Sequence, residues 1–429
     1  MINYDSFLSR AAGHMRESAI RRMGTLLAQK RDIISFAPGY PAPDTFPWEE
    51  LRDITKELLS GGDGSVLQYG PTRGYRPLLE FIGAIMAERG APTVLDRLLV
   101  TTGSQQGLDL VARVLLDPDD VVLVELPTYT GAITAFRNVQ AQMVGVRQEA
   151  DGIDLADLDA VYERLTGEGR RVRLLYVVPN FQNPTGLLIG LEKRRRLLEW
   201  AARRNMLILE DDPYRELYFE DSASEGDVRP IRADDSDGHV VYLSSFSKTL
   251  AAGFRVAWID APAPLATKLE YAKQASDLCT GVLDQRVIFE ACRRGILARQ
   301  LPRLRGYYQH KRDVMVDALR LAFGNRMTWP EPRGGFFLWA TLPPRVDAEA
   351  LIARAVDHGV IYVAGSAFFV NARPESSISP GKHVIRLSFS APSPDRIREG
   401  VSRLAAAVDA ELEASTPGVQ SQAPGPAAP

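Results

Sequence analysis

A lysine amine, two serine hydroxyls and a guanidinium fall together in SSFSKTLAAGFR, residues 244 to 255, as Lys248, Ser245, Ser247 and Arg255. An amine in such company can condense with an aldehyde, while the hydroxyls and the guanidinium bind a phosphate, the arginine with two-point geometry. Gly253 beside Arg255 is expected to let the backbone turn tightly there. A second anion site is expected in TTGSQQGLDL, residues 101 to 110, where a strand ends and a helix opens at Gly103 and Ser104. The unpaired amides of that first turn, with the helix dipole, face an anion. Ser104 alone also reads as an ordinary N-cap. EDDPY, residues 210 to 214, puts three acids beyond an apolar run, which is costly unless one has a partner. A buried carboxylate among the three would hold a proton on an aromatic ring nitrogen and make the ring an electron sink, with Tyr214 reaching a ring hydroxyl from the same loop. Asn183, before Pro184 in VVPNFQNPTG, offers an amide to the same ring oxygen. Each piece alone is commonplace: a loop lysine, a helix cap, an acidic turn, an Asn-Pro turn. Only their combination points to one ring carrying an aldehyde, a phosphate, a basic nitrogen and an oxygen.

These groups need a scaffold that brings distant segments together. From Trp48 onward helical patterns alternate with short β-branched runs, LLVTT, VVLVE, RLLYVV, MLILED, VVYLSS and RVAWI. That order predicts an α/β fold with a doubly wound, mainly parallel sheet covered by helices on both faces. Several runs end in polar or glycine-rich residues, where open α/β sheets place their ligands. A long helix is expected near residues 300 to 323. GGFFLWATL, VIYVA and HVIRLSFS then read as strands of a smaller α+β domain closed by a helix near 412. Residues 1 to about 30 read as a polar helical arm, followed by IISFAPGYPAP, whose prolines exclude a long helix. The expected division is an arm with a small-domain segment at 1–46, a large domain at 47–298, a small C-terminal domain at 299–412 and a disordered tail at 413–429, rich in Pro, Gly, Ser and Gln.

The 429 residues suit two domains, and 45% apolar with 24% charged content excludes fibrous and membrane classes. A net charge of −3 leaves no broad footprint for nucleic acid or anionic lipid, so small molecules are the expected partners. Two cysteines, Cys279 and Cys292, make neither a disulfide framework nor a metal cluster and are expected to be reduced core residues. The N-terminus lacks an apolar run of signal length, which gives a cytoplasmic expectation.

The ordered set ISFAPGYPAPDTFP, LQYGPTRGYRPL, TTGSQQGLDL, VELPTYTGAI, VVPNFQNPTG, EDDPYRELYF, SSFSKTLAAGFR, DLCT, GGFFLW and RLSFS resembles the fold-type I pyridoxal-phosphate enzymes of the class I/II aminotransferase family, over about residues 15 to 410. Within it the chain is most similar to 2-aminoadipate and broad-specificity aromatic or branched-chain aminotransferases. The resemblance implies that Lys248 forms the Schiff base with pyridoxal 5'-phosphate and shuttles the proton, that Asp211 partners the pyridine nitrogen, and that Tyr214 and Asn183 partner the ring oxygen. Tyr129 matches the aromatic stacked on the ring. Ser104, Gln105, Ser245, Ser247 and Arg255 match the phosphate cup. Tyr69 matches a tyrosine reaching the neighbouring subunit's phosphate, which implies a homodimer with shared sites. Arg386 matches the clamp on the substrate α-carboxylate, Gly39 the backbone near that carboxylate, and Arg22 an arginine that meets the substrate side chain.

The chain also departs from the pattern of the family it resembles: Ala252 precedes Gly253 where proline is common, Gly281 follows DLCT where asparagine is usual, and Pro38 and Tyr40 stand where glycine and leucine are frequent. Tyr40 is expected to project toward the substrate. The implied activity is transfer of an amino group between an amino acid and a 2-oxo acid by a ping-pong route. The competing reading on the same scaffold is a lyase, a β- or γ-replacement enzyme or a carbon–carbon bond-forming enzyme. A ligand-sensing regulator is less favoured, because about 30 residues ahead of the shared region are too few for a helix-turn-helix domain.

Overall fold

The computed structural model describes residues 2–15, 32–370 and 381–414. In chain order its strands are β1 (Ile34–Ser35), β2 (Leu98–Thr102), β3 (Val121–Leu126), β4 (Gln142–Glu149), β5 (Gly152–Ile153), β6 (Val172–Val177), β7 (Leu207–Asp211), β8 (Val240–Ser245), β9 (Val256–Asp260), β10 (Phe337–Thr341), β11 (Val360–Ile361), β12 (Val363–Ala364) and β13 (Val384–Ser388). All six apolar runs of the first sheet form strands, whereas β4 has no clear signal in the sequence. Its QMVGVRQE segment mixes polar residues into an otherwise β-branched run, and it lies near the sheet edge, next to the last strand.

The large sheet has the order β2-β9-β8-β7-β6-β3-β4-β5. Strands β4, β3, β6, β7 and β8 run parallel, while β9 is antiparallel to both β8 and β2. Thus β2 points the same way as the parallel set, and β9 starts where the others finish. One edge of the sheet therefore collects the segments after β2, β3, β6, β7 and β8 and the segment before β9. Central strands are buried on both faces: every residue of β8 and β9 is buried, as expected for a sheet covered by helices.

The long helix runs Ile296–Phe323, beginning earlier than the sequence suggests because Gly295, at φ 70°, supplies the left-handed residue that breaks the chain from the preceding helix. Pro302 sits in its second turn and forfeits one helical bond. The closing helix is Pro394–Ala414. VIYVA, expected as one strand, is divided: β11 pairs in parallel with β1, and β12 pairs with β13. Tyr362 lies at the break, its hydroxyl donating to the Ala348 carbonyl at 2.7 Å. The β1–β11 pairing brings the segment after Ser35 alongside β13, where Ser388 N–H donates to the Phe36 carbonyl at 2.8 Å. Of the expected polar arm, Tyr4–Phe7 and Arg10–His14 are helical turns, and Met1 and residues 16 to about 30 fall outside the described residues. The expected tail also lies outside them, apart from its first two residues, which belong to the closing helix. Cys292 is buried as expected, but Cys279 is only half-buried, since its loop lies at the surface. No helix among the described residues is long and apolar enough to cross a membrane.

Candidate active site

A cleft of about 840 Å³ opens over the collecting edge of the large sheet and is walled on the far side by β13 and the segment after β1. Thirteen of the residues singled out from sequence line it; Tyr69 and Arg22 do not. Tyr69 is 79% exposed on its own chain, and Arg22 lies outside the described residues.

Lys248 ends a short 3-10 turn directly after β8. Its Nζ donates to the Gly39 carbonyl at 3.1 Å and stands 5.8 Å from the Tyr214 ring centre. Burial, helped by the positive charges of Arg255 and Arg386 and opposed by Asp211, pulls its ammonium down to a pKa of about 8. About a tenth of such amines are neutral at pH 7, far more than for a surface lysine.

The three acids after MLIL resolve by strand alternation. Glu210 faces away from the cleft and accepts from the Ile231 and Arg232 amides at 2.8 Å each. Asp212 accepts from Asn180 Nδ2 at 2.8 Å and from the Tyr242 hydroxyl at 2.9 Å. Asp211 lies between them on the other face, its Oδ2 accepting from the Tyr176 hydroxyl at 2.8 Å. Its Oδ1 is buried with no hydrogen-bond partner. Burial pushes this carboxyl up to about 7, against the lowering effect of the Tyr176 bond and Lys248. All three acids are thus placed, where the sequence required only one to be.

The start of the helix Ser104–Leu115 corrects a detail. Gly103, at φ 77°, is the N-cap, and Ser104 is the first helical residue with its amide free for an anion. A Cβ at Gly103 would collide with Arg255 Nη2, so the glycine lets the guanidinium close on the helix end. Arg255 itself takes the left-handed conformation, φ 54°, whereas Gly253 has no positive φ; the tight turn expected at the glycine falls two residues later. Ser245 and Ser247 are joined Oγ to Oγ at 2.8 Å. Gln105 Nε2 donates to the Gly131 carbonyl at 2.9 Å, and the Gln105 and Tyr129 side chains flank Gly131 too closely for any Cβ there.

Arg386 is 1% exposed, because β13 is the middle strand of its sheet and no edge exists for the side chain to escape from. Its Nη1 donates to Asn183 Oδ1 at 2.7 Å and its Nη2 to the Ala37 carbonyl, with Phe337 and Phe368 rings at 4.3 and 5.0 Å. Nε has no partner. Burial lowers its pKa to about 10, so it remains cationic at neutral pH. Tyr214 is buried and hydrogen-bonded with Asn183, and burial together with the nearby Tyr129 raises its phenol well above the ordinary range. Tyr40 is 57% exposed at the rim, its carbonyl held by Ser390 Oγ at 2.7 Å.

Two participants were missed from sequence. Tyr176 lies among the apolar residues of the run RLLYVV, and Phe337, which touches both Gly39 and Arg386, inside GGFFLW. Neither carries a local signal, since a buried aromatic in a strand reads as core.

The fit to a phosphorylated pyridine aldehyde is good on three observations: the orphaned Asp211 oxygen, the glycine-lined helix end beneath Arg255, and the part-neutral amine of Lys248. Comparison with known proteins agrees. The family model described as aminotransferase class I and II matches residues 26–404. The aromatic-amino-acid aminotransferase 1 of Thermococcus litoralis is 38% identical over 96% of each chain. The multiple substrate aminotransferase of Thermococcus profundus superposes with a TM-score of 0.89 at 38% identity, covering 96% of this chain and 100% of that one. The α-aminoadipate aminotransferase of Thermus thermophilus, solved with N-(5'-phosphopyridoxyl)-L-leucine, gives 0.85 at 37% identity, covering 96% and 100%. With the family model spanning most of the sequence and relatives matched end to end, this chain belongs to the class I and II aminotransferases.

Proposed function

We propose that the protein is a pyridoxal 5'-phosphate-dependent aminotransferase acting on an amino acid and a 2-oxo acid, with Lys248 as anchor and proton carrier. The observation that carries this reading is the juxtaposition of Lys248, Asp211 and Arg386 around one cleft. When bound, the cofactor supplies a ring that draws off the charge left as the substrate Cα–H bond breaks. Ser104, Gln105, Ser245, Ser247 and Arg255 would hold its phosphate, and Tyr129 would pack on its face. Asn183 and Tyr214 would bind its ring oxygen, and Asp211 Oδ1 would hold the proton on its nitrogen. Arg386 would bind the substrate α-carboxylate in a two-point pair and so fix the orientation of the substrate in the cleft. Lys248, on the floor of the same cleft, would take the α-proton at Nζ as general base and give it back as general acid. Gly39 and Tyr40 border the substrate, and Tyr69 would complete the site of a second subunit in a homodimer.

The test is a single half-reaction. Protein loaded with pyridoxal 5'-phosphate and given one amino acid is expected to convert stoichiometrically to the pyridoxamine form, and a 2-oxo acid is expected to restore it. Release of pyruvate or ammonia without that cycle would overturn the reading in favour of elimination.

Gly103→Ala tests the phosphate cup. The new methyl meets the Arg255 guanidinium and forces a left-handed φ on alanine, costing about 1–2 kcal/mol of stability. Cofactor dissociation constants measured by fluorescence titration are expected to rise roughly tenfold, in line with the loss of one charge-assisted contact.

A further inference from the structure

Asp211 is held from only one side. A lone carboxylate at a strand end can rotate about its χ2, yet here one oxygen is tied to Tyr176 and the other is left bare, although both are buried. Leaving a buried acceptor unmet is costly, so such an arrangement persists only where the surroundings fix it. Tyr176 supplies the fixing. It sits on β6 opposite Leu209 of β7, one diagonal step from Asp211, a span that a long aromatic side chain bridges. Its ring is 0% exposed and locked edge-on against Phe136 at 5.8 Å. Its hydroxyl has Asp211 as its hydrogen-bond partner, in a core otherwise built from Val178, Leu209 and similar side chains.

We infer that Tyr176 is a positioning residue for the reaction: by donating to Asp211 Oδ2 it turns Oδ1 toward the cleft and keeps the carboxylate charged there. This rests on the assignment of Asp211 to the ring nitrogen. A buried carboxylate in this site stands close to neutrality, because burial pushes it up to about 7. A hydrogen bond to a charged group is worth about 1.5–3 kcal/mol, enough to move such an equilibrium by about one to two pH units. Other charged or titratable groups also face Asp211: Lys248 from the turn after β8, which favours its ionisation, and Asp212 beside it, which opposes it. Tyr214, from the loop after β7, also interacts with Asp211, while Tyr129 and Glu125 act on Tyr176 itself. All of them remain when Tyr176 alone is changed.

The experiment follows the Asp211 carboxyl by ¹³C NMR in the apoprotein labelled at aspartate, the resonance being identified by its loss in Asp211→Asn. In Tyr176→Phe the titration midpoint is expected to rise by about one unit or more. In the loaded enzyme kcat is expected to fall roughly tenfold with KM changed less than about threefold, since orientation of the ring partner affects the bond-breaking step and not substrate capture. Site-specific 3,5-difluorotyrosine at position 176, a stronger donor of the same shape, should move the midpoint the other way and needs no loss of packing. A midpoint unmoved by either change would overturn the inference, whatever happens to melting temperature. Asp211→Asn separates the two levels: wild-type kcat in that variant would sink the assignment of Asp211, whereas loss of kcat there beside a normal Tyr176→Phe would sink only the role of Tyr176.

Discussion

Lys248→Ala is expected to lower multiple turnover by roughly ten-thousand-fold or more, because one side chain provides both the covalent anchor and the proton carrier. The same change should leave the apoprotein as stable as the parent, or more so, at pH 7. The amine makes one hydrogen bond, to the Gly39 carbonyl, and burial lowers its pKa to about 8 from an ordinary 10.5. A cation whose folded pKa is depressed costs stability wherever it is charged in both states, below about pH 8. That cost is relieved as pH rises from about 8 to 10.5, where the unfolded chain binds more protons than the native one. The melting-temperature advantage of Lys248→Ala should therefore be largest near neutrality and fade toward pH 10.5. Covalent loading of the parent should likewise accelerate about tenfold per pH unit up to about pH 8 and then level, as the neutral amine saturates. Retained turnover in the alanine variant without added amine would refute the assignment of Lys248.

Arg386→Leu is expected to reduce kcat/KM for every amino acid donor by about a hundred- to a thousand-fold, the range for breaking a desolvated charge pair. The guanidinium is already stripped of water and held by Asn183 Oδ1 and the Ala37 carbonyl, so little ordering remains to be done when a carboxylate arrives. Because its pKa stays near 10, the clamp should work unchanged from pH 6 to 9. An amine substrate lacking the α-carboxylate provides the control: its already poor rate should change little. Arg386→Lys should recover only part of the loss, since an ammonium offers no planar fork. Equal losses with the amino acid and its decarboxylated analogue would show that Arg386 merely supports Asn183 and the loop around Ala37.

Much of the site was legible because its residues are fixed to the ends of strands that announce themselves. VVYLSS and MLILED read as strands from their apolar, β-branched runs, and the groups that follow them, Lys248 and Asp211, are carried to the sheet edge by covalent connection alone. The order of those runs implied a sheet whose carboxyl edge gathers ligand groups, and the strand topology delivers that edge. Alternation along β7 then decides which of three acids faces the cleft, a parity that needs the strand's pairing to be known.

Residue type and order along the chain thus determined the chemistry on offer: an amine, a carboxylate, hydroxyls and guanidiniums beyond strand ends, because backbone periodicity is local. Tertiary structure alone decided how those groups behave. Burial of Arg386 comes from β13 being a central strand, the left-handed turn falls on Arg255 and not on Gly253, and Asp211 depends on Tyr176 from a neighbouring strand. Such features rest on register, desolvation and contacts between segments far apart in sequence, and no local pattern encodes the distance across which two side chains will meet.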